Sequence, residues 1–195
     1  MKLIFATSNK GKLAEASEIL GKDFQLLSSA DVGITEDIEE TGETLEENSV
    51  IKAEYVHSRT GMNCFADDTG LEVDCLGGAP GVHSARYATE GHDFNANMDK
   101  LLSEMKKHPG EPRTARFRSV VTLIWNGEKH IFTGSFEGSI AECRSGNGGF
   151  GYDPVFVSDL CPGKTVAELP ESFKNENSHR GKALRAMALW LKENA

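Results

Sequence analysis

The spacing of apolar positions predicts a strand and two helices in the first third of the chain. Residues 2–7 form a short apolar run that predicts a buried strand rather than a signal peptide. An amphipathic helix is expected next, because Leu13, Ala16 and Leu20 lie on one stripe at helical spacing. After an acidic stretch, a second helix is predicted over about residues 45–58.

Short strands are predicted around a pair of adjacent aspartates. Residues 63–66 form an apolar run that predicts a strand ending at Asp67-Asp68-Thr69-Gly70, which resembles a turn. Residues 71–76 predict another strand. The Gly- and Pro-rich residues 77–81 then predict a tight loop.

The second half of the chain predicts two helices and a long hairpin. One helix is expected over 94–107, with an apolar inner side. Residues 114–125 and 130–136 predict a hairpin that turns at Asn126-Gly127, the strongest short hairpin signal. The last helix is expected to begin near Ser178, a good N-cap residue. Helices interleaved with long hairpin strands indicate an α/β fold with a mixed sheet flanked by helices.

Composition narrows the class of protein. The 195 residues are enough for one domain, or for two small lobes around one core, and we expect a single domain over residues 1–195. The 38% of hydrophobic residues exclude a disordered chain, and the apolar runs are too short to span a bilayer. A net charge of −9 argues against a protein that wraps nucleic acid, but it leaves room for one small anion at a locally basic spot.

The cysteines and histidines predict no metal centre of their own. The four cysteines are widely scattered without a C-x-x-C pair, which makes zinc unlikely to be the metal and indicates reduced thiols in a cytoplasm. The histidines without a motif show no ligand spacing and are expected at the surface; they are His57, His92, His108 and His130.

The first candidate site follows the first strand. It contains two lysines, two hydroxyls and an amide at the start of a helix, in the residues Thr7, Ser8, Asn9, Lys10, Gly11 and Lys12. A helix N-terminus offers unpaired N–H groups and the positive end of the helix dipole to an anion. The segment therefore fits a triphosphate cradle, although a polar turn with solvated lysines would have the same composition.

The second candidate site is acidic. Glu39 and Glu40 lie in an acidic run, and Asp67 and Asp68 are adjacent. Mg²⁺ is commonly held by one or two carboxylates together with waters and substrate phosphates. Because neighbouring aspartates repel each other, the pair suggests metal binding or general-base work, whereas most of the acidic run is expected to be a solvated face.

The third candidate site is the glycine-rich loop over residues 145–153. Its G-x-G-x-x-G spacing is not a dinucleotide fingerprint, because it follows a late hairpin and Pro154 stands where a helix should run. Phe150 or Tyr152 could stack on a base, and Asp153 could accept a hydrogen bond from the edge of that base. The alternative is a strained turn with buried aromatic side chains.

The fourth candidate site surrounds the start of the last helix. Lys174, His179 and Arg180 cluster there, although cations are unfavourable at a helix N-terminus unless an anion offsets them. This placement suggests a contact with a phosphate or a base.

Taken together and in this order, the motifs closely resemble the inosine triphosphate pyrophosphatase family, also called the Ham1-like or non-canonical purine nucleoside triphosphate pyrophosphatases. The resemblance runs from about residue 2 to residue 192. It is carried by Ala6-Thr7-Ser8-Asn9-Lys10-Gly11-Lys12, Ala66-Asp67-Asp68-Thr69-Gly70, Leu76-Gly77-Gly78-Ala79-Pro80-Gly81, Ser84-Ala85-Arg86-Tyr87, Gly148-Gly149-Phe150-Gly151-Tyr152-Asp153-Pro154 and Ser178-His179-Arg180-Gly181. Ser8 departs from the family pattern, since many members have glycine there.

The resemblance implies a fold, an activity and a cofactor. The fold would be an elongated α/β structure with a long mixed sheet and two lobes, with the nucleotide in the cleft between them. The protein would be a cytoplasmic homodimer that uses Mg²⁺ to hydrolyse ITP, dITP and XTP to the monophosphate and pyrophosphate. Neither nucleic acid nor a membrane is implied as a partner.

The resemblance also implies residue roles. Asp68 would be the general base and a metal ligand, and Glu39 would be the other metal carboxylate, preferred to Glu40 by its spacing to Gly42. Lys52 would face the phosphates, Thr69 would contact the substrate, and residues 7–12 would cradle the triphosphate. The base and neighbouring phosphates would be surrounded by Phe150, Gly151, Tyr152, Asp153, Lys174, His179 and Arg180.

Three other functions are compatible with parts of the sequence. A related Maf-like pyrophosphatase would prefer modified pyrimidines, but the Ser-His-Arg and Gly-Gly-Phe-Gly-Tyr-Asp motifs argue against it. A nucleotide-sensing module without turnover is disfavoured by the intact Asp67, Asp68 and Glu39. A metal-dependent nuclease is disfavoured by the acidic net charge and by the lack of a basic stripe.

Overall fold

The structure is a computed structural model that describes residues 1–91 and 93–194, except for the side chain of Asn175. It contains seven strands and five helices within these residues. The strands are β1 (Lys2–Phe5), β2 (Gln25–Ser28), β3 (Cys64–Val73), β4 (Pro80–Gly81), β5 (Thr114–Trp125), β6 (Glu128–Ile140) and β7 (Phe156–Ser158). The helices are α1 (Lys10–Leu20), α2 (Leu45–Thr60), α3 (Phe94–Met105), α4 (Glu171–Asn177) and α5 (His179–Asn194).

The strands form one mixed sheet in the order β2-β1-β3-β5-β6-β7, and β4 pairs with β3. Strand β1 is parallel to both β2 and β3, with Phe5 opposite Phe65, whereas β7 is antiparallel to β6. The hairpin turn between β5 and β6 has positive φ angles at Asn126 (52°) and Gly127 (85°), as a type I′ turn requires. The predicted mixed α/β sheet with flanking helices is confirmed.

The chain divides into two compact units. The first comprises residues 1–68, 119–134 and those from Arg180 onward, and the second comprises residues 69–118 and 135–179. Each unit has a core of its own. The core of the second unit joins α3 to the sheet and includes Leu71, Leu101, Phe136 and Phe156.

The first unit has an apolar cluster on each face of its strands. Phe5 and Phe65 pack with α1 and α5, whereas Ile4, Cys64 and Ala66 pack with α2. Successive side chains of a strand point to opposite faces, so in the first half of β3 Phe65 and Asp67 face α1 and α5, whereas Cys64, Ala66 and Asp68 face α2. This alternation decides where the two aspartates that follow Ala66 point.

The predicted break in the acidic strand is wrong. Residues 64–73 form one continuous strand, and the Asp67-Asp68-Thr69-Gly70 segment lies in its middle instead of forming a turn. The two carboxylates do not repel each other strongly, because the pleat directs them to opposite faces, where each has cationic partners. Tertiary ion pairs thus override the local turn propensity of the segment.

The helices agree with the predicted periodicity. Helix α1 buries Ala16 and Leu20, and α2 is capped at its C-terminal end by Gly61, which has a left-handed φ of 64°. Helix α4 was not expected from the pattern. The histidines His57, His108 and His130 are partly exposed, and His92 lies outside the described residues. The four cysteines are free thiols, as predicted.

Among residues 1–91 and 93–194, no helix is long and apolar enough to cross a membrane.

Candidate active site

Asp68 faces α2 and forms a buried ion pair there. Its Oδ1 lies 2.7 Å from Nζ of Lys52, and the same ammonium group lies 3.3 Å from Oε1 of Glu40. Burial raises the pKa of Asp68 to about 6, and the charge of Lys52 offsets part of that shift. Asp68 is therefore ionised at neutral pH, yet it accepts a proton more readily than an ordinary aspartate.

Lys52 is held as a cation by the acidic groups around it. Burial alone would lower the pKa of this lysine, but Asp68, Glu40 and Asp67 outweigh burial and raise the pKa. The site therefore combines a fixed positive charge with a carboxylate that can take a proton.

Asp67 points to the opposite face and joins α1 to α5. It accepts hydrogen bonds from Nζ of Lys12 at 2.9 Å and from Nε of Arg180 at 2.8 Å, and Arg180 also donates to Glu15. Burial alone would raise the pKa of Asp67, but Lys12, Arg180 and Lys52 together lower it well below its usual range. Asp67 is therefore a permanently charged anchor for the two cations.

The segment from Thr7 to Lys12 forms the last residues before α1 and its first turn. Asn9 caps the helix, and its Oδ1 accepts hydrogen bonds from the backbone N–H groups of Gly11 (2.8 Å) and Lys12 (3.1 Å). These two amides are thus satisfied within the chain. Ser8 and Lys10 are exposed, and Thr7 is half-buried. An anion at this helix end would have to displace the Asn9 side chain or use the exposed groups.

The glycine-rich loop of the second unit presents one aromatic ring and hides the other. Phe150 is 60% exposed, whereas Tyr152 is buried and donates its hydroxyl proton to the carbonyl of Ser84 at 2.8 Å. Tyr152 is therefore a core residue whose hydroxyl is occupied, and Phe150 is the ring that is free to stack. Gly151 lies between them with a positive φ of 64°.

Asp153 organises this loop from a buried position. It accepts hydrogen bonds from the backbone N–H of Phe150 at 2.9 Å and from Nζ of Lys174 at 2.5 Å. The Lys174 ammonium also lies 3.9 Å from the centre of the Phe150 ring, within cation–π distance. The lysine, the aspartate and the exposed ring therefore form one connected group.

The remaining predicted residues are buried or half-buried. His179 is buried with its ring stacked on Phe117, the centroids being 5.2 Å apart, and Thr69 is a half-buried residue of β3. Arg180, one residue later, is buried in its ion pairs with Asp67 and Glu15.

The acidic residues meet only the smaller of two possible requirements for a metal site. Within the part of the chain that the structure describes, no group of three or more His, Cys, Asp or Glu side chains is arranged to hold a metal ion. Mg²⁺ needs only one or two carboxylates beside substrate phosphates. Asp68 and Glu40, both beside Lys52, satisfy that smaller requirement; Glu39 and Glu40 are both exposed.

Sequence reasoning missed Glu15 and ranked Glu40 second. Glu15 is an ordinary helical glutamate in sequence, and only its contact with Arg180, 165 residues away, distinguishes it. Glu40 is not distinguished from Glu39 by the local sequence. Its signal is structural, because Oε1 of Glu40 lies 3.3 Å from Nζ of Lys52, which the spacing to Gly42 does not reveal.

A mixed sheet whose central strand carries two aspartates paired with lysine and arginine side chains defines an α/β protein with a charged site in its first unit. Comparison with known proteins then identifies the family. A family model described as the Ham1 family matches residues 3–190. The chain belongs to the Ham1 family, and the resemblance found in its motifs is confirmed.

Relatives and solved structures are similar over nearly the whole chain. The dITP/XTP pyrophosphatase of Christiangramia forsetii is 48% identical over 191 residues, covering 98% of this chain and 99% of that protein. That of Porphyromonas gingivalis is 52% identical over 186 residues, covering 94% and 93%. The Ham1 protein of Staphylococcus aureus superposes with a TM-score of 0.91 at 34% identity, covering all of both chains. The dITP/XTP pyrophosphatase of Mycobacterium abscessus gives 0.82 at 43% identity, covering 96% and 98%.

Proposed function

We propose that this protein is a Mg²⁺-dependent pyrophosphohydrolase that converts dITP, XTP and ITP to the nucleoside monophosphate and pyrophosphate. The names of its relatives support the substrate class. The observation that carries the proposal is the buried Asp68–Lys52 pair with Glu40 beside it. This arrangement combines a proton acceptor, a fixed cation and a second carboxylate.

The proposed reaction is attack of water on the α-phosphorus with pyrophosphate as the leaving group. Asp68 accepts the proton of the attacking water, a role that suits a carboxylate whose pKa is raised to about 6. Lys52 faces the phosphates and stabilises their growing negative charge. Because pyrophosphate leaves as an anion, it needs electrostatic stabilisation more than protonation.

Asp68 and an acidic residue of the segment before α2 would hold Mg²⁺. When bound, the ion supplies electrostatic stabilisation to the phosphates and lowers the pKa of coordinated water. The 3.3 Å distance to Lys52 supports Glu40 as the second carboxylate in preference to Glu39. The triphosphate is proposed to contact the exposed polar groups of residues 7–12.

The base is proposed to lie against the exposed Phe150 ring. Lys174 and Asp153 lie beside that ring. The 6-oxo group of hypoxanthine or xanthine is proposed to accept a hydrogen bond from a donor near this ring or from His179 or Arg180. An adenine amine facing the same donor would leave it buried and unpaired, which is heavily penalised. Guanine shares the 6-oxo group, so it must be rejected at its 2-amino group.

Four features of the protein stay predictions. They are the single domain over residues 1–195, the elongated two-lobed arrangement with a nucleotide cleft, the homodimer and the cytoplasmic location. The free cysteines are consistent with a reducing compartment. Light scattering during gel filtration measures the oligomeric state directly.

A product assay tests the proposed function. The protein is incubated with Mg²⁺ and separately with ITP, XTP, dITP, ATP, GTP and dUTP, and the nucleotides and pyrophosphate are separated. Monophosphate and pyrophosphate from the first three, with ATP and GTP nearly untouched, are expected. Diphosphate and orthophosphate would place the attack at the γ-phosphorus, and binding of ITP without turnover would favour a sensing module.

Asp68→Asn is the matched variant for this assay. We expect it to abolish turnover and leave nucleotide binding largely intact, because the amide keeps the shape of the side chain and loses the proton acceptor. Near-wild-type turnover of this variant would remove Asp68 from the mechanism.

A further inference from the structure

One stripe of α2 contacts the acidic segment, residues 36–43, at several points. Asn48, Lys52 and Tyr55 are spaced four and three residues apart, so they lie on one face of the helix. Each contacts a different residue of the acidic segment. The backbone N–H of Gly42 donates to Oδ1 of Asn48 at 2.8 Å, Lys52 donates to Glu40 at 3.3 Å, and the Tyr55 hydroxyl donates to Glu36 at 2.6 Å.

These contacts differ in burial, and only one is made by a fully buried neutral side chain. Asn48 is 3% exposed, whereas Glu36 and Glu40 are exposed. Ion pairs and hydrogen bonds of exposed carboxylates contribute little, but an amide oxygen buried without a donor is costly. Of these three contacts, the Gly42–Asn48 hydrogen bond is therefore the one that contributes most to fixing the acidic segment.

Close packing around Gly42 supports the same conclusion. A Cβ atom on this glycine would lie 2.6 Å from Cβ of Glu47 and 2.7 Å from Oδ1 of Asn48. The segment thus approaches the helix more closely than any side chain at position 42 would allow. Oε2 of Glu47 also accepts hydrogen bonds from the backbone N–H groups of Glu43 (2.7 Å) and Thr44 (3.0 Å). These bonds fix the end of the segment.

Helix α2 is itself fixed against the sheet of the first unit. The hydroxyl oxygens of Ser49 and Thr122 lie 2.6 Å apart in the buried interior, and Ala53 and Val56 are fully buried. These contacts hold α2 in place against the sheet. The face of α2 that contacts the acidic segment is therefore fixed relative to Asp68 on β3.

We propose that Asn48 is a positioning residue of the hydrolytic site. It holds the acidic segment through Gly42, and this places Glu40 beside Lys52 and Asp68. Asn48 acts only through Glu40 and does not itself touch the substrate. This inference rests on the proposed function, because it assigns Glu40 to the working site.

A double-mutant cycle between Asn48→Ala and Glu40→Gln tests the proposal. Misplacing a reacting group by about 1 Å can cost about 100-fold, so Asn48→Ala alone should lower kcat/KM for ITP by at least about tenfold. In the Glu40→Gln background, Asn48→Ala should change kcat/KM by less than about twofold, because the group that Asn48 places is already gone. An equal loss in both backgrounds would show a merely structural role and overturn the proposal.

Asn63→Ala is the matched control. Oδ1 of Asn63 accepts a hydrogen bond from the backbone N–H of Asn126 at 2.8 Å. Like Asn48→Ala, this variant therefore removes an asparagine side chain that binds a backbone amide of a loop. The loop it holds is the β5–β6 turn rather than the acidic segment. Its kcat/KM should stay within about twofold of wild type, and a loss as large as that of Asn48→Ala would contradict the assignment.

Amide hydrogen exchange provides a readout that does not depend on turnover. In the free wild-type protein, the Gly42 amide should exchange more slowly than the amide of Thr41, and Asn48→Ala should abolish that protection. Unchanged protection in a folded Asn48→Ala variant would overturn the proposal. If Glu40→Gln leaves turnover unaffected, the assignment of Glu40 under the proposed function fails, and the exchange data still decide whether Asn48 holds the segment.

Discussion

Asp67 and Asp68 are adjacent in sequence, and their pKa values shift in opposite directions. The strand pleat places Asp67 between Lys12 and Arg180, where the cations outweigh burial and lower its pKa. Asp68 has one close lysine, and burial raises its pKa to about 6 while Glu40 adds to the rise. One aspartate is thus a permanent anchor for cations, and the other is able to exchange a proton near neutral pH.

Removing the charge of Asp67 should destabilise the protein. Breaking a buried ion pair leaves its partners uncompensated, so Asp67→Asn should lower the free energy of unfolding by about 3 kcal/mol. Urea denaturation at pH 7 measures the change. Glu54→Gln is the control, because it breaks the exposed ion pair with Lys129 (2.8 Å), which should be worth at most about 1 kcal/mol. Equal effects of the two variants would contradict the anchoring role of Asp67.

Cys64 should resist thiol reagents in the folded protein. Burial raises the pKa of this thiol to about 12, so about one molecule in 10,000 carries the reactive thiolate at pH 8. Iodoacetamide labelling followed by peptide mass spectrometry should modify the exposed Cys143 and leave Cys64 unlabelled until denaturant is added. Labelling of both cysteines at the same rate at pH 8 would contradict the burial of Cys64.

At the scale of elements, periodicity predicted most of the fold. Helices α1, α2, α3 and α5 have apolar stripes, and the β5–β6 hairpin has an Asn-Gly turn, so local sequence was sufficient for them. Local sequence failed at β3, where a turn-like Asp-Asp-Thr-Gly segment continues as a strand. The ion pair that stabilises this segment joins Asp67 to Arg180, 113 residues away, and no local pattern can reveal it.

The candidate site shows the same division. Its residue types were predictable from motifs, because adjacent carboxylates suggest metal or general-base chemistry and lysines at a helix start suggest anion binding. Their pairing was not predictable. Tyr152 was a stacking candidate in sequence and is a core residue in the structure, and two of the helix amides expected to bind an anion are capped by Asn9.

The glycine-rich loop should lose function when Gly149 gains a side chain. A Cβ atom there would lie 2.2 Å from Oδ2 of Asp153, so the carboxylate must leave the Phe150 amide and Lys174. Because this group is proposed to hold the base, Gly149→Ala should raise KM for ITP by roughly tenfold, with a smaller change in kcat. Steady-state kinetics with ITP measures both constants.

Gly163→Ala is the control for the backbone conformation. Gly163 also has a positive φ (88°), but a Cβ atom there would meet nothing within 4 Å. Both variants carry the strain of a left-handed non-glycine residue, about 1–3 kcal/mol, and only Gly149→Ala displaces Asp153. If Gly163→Ala raises KM equally, backbone strain rather than the Asp153 group explains the loss.

At the scale of the whole molecule, the net charge of −9 opposes the approach of a polyanion. The cations proposed to serve the phosphates are also neutralised locally. Lys52 is paired with Asp68 and Glu40, and Lys12 and Arg180 share Asp67. Attraction of a nucleoside triphosphate must therefore depend on contacts made inside the site.

This charge distribution predicts a weak dependence on salt. For a basic protein that neutralises Z phosphates of DNA, the logarithm of the binding constant falls with the logarithm of the salt concentration with a slope of about −0.9Z. A site without a surrounding basic surface has no such long-range attraction for salt to screen. Between about 20 and 200 mM potassium acetate, across which the screening length falls several-fold, kcat/KM for ITP should change less than about threefold. Binding to a labelled DNA duplex should stay undetectable at the lower salt concentration. A steep fall of kcat/KM with salt, or tight salt-sensitive DNA binding, would instead indicate an extended basic surface and support the nuclease alternative.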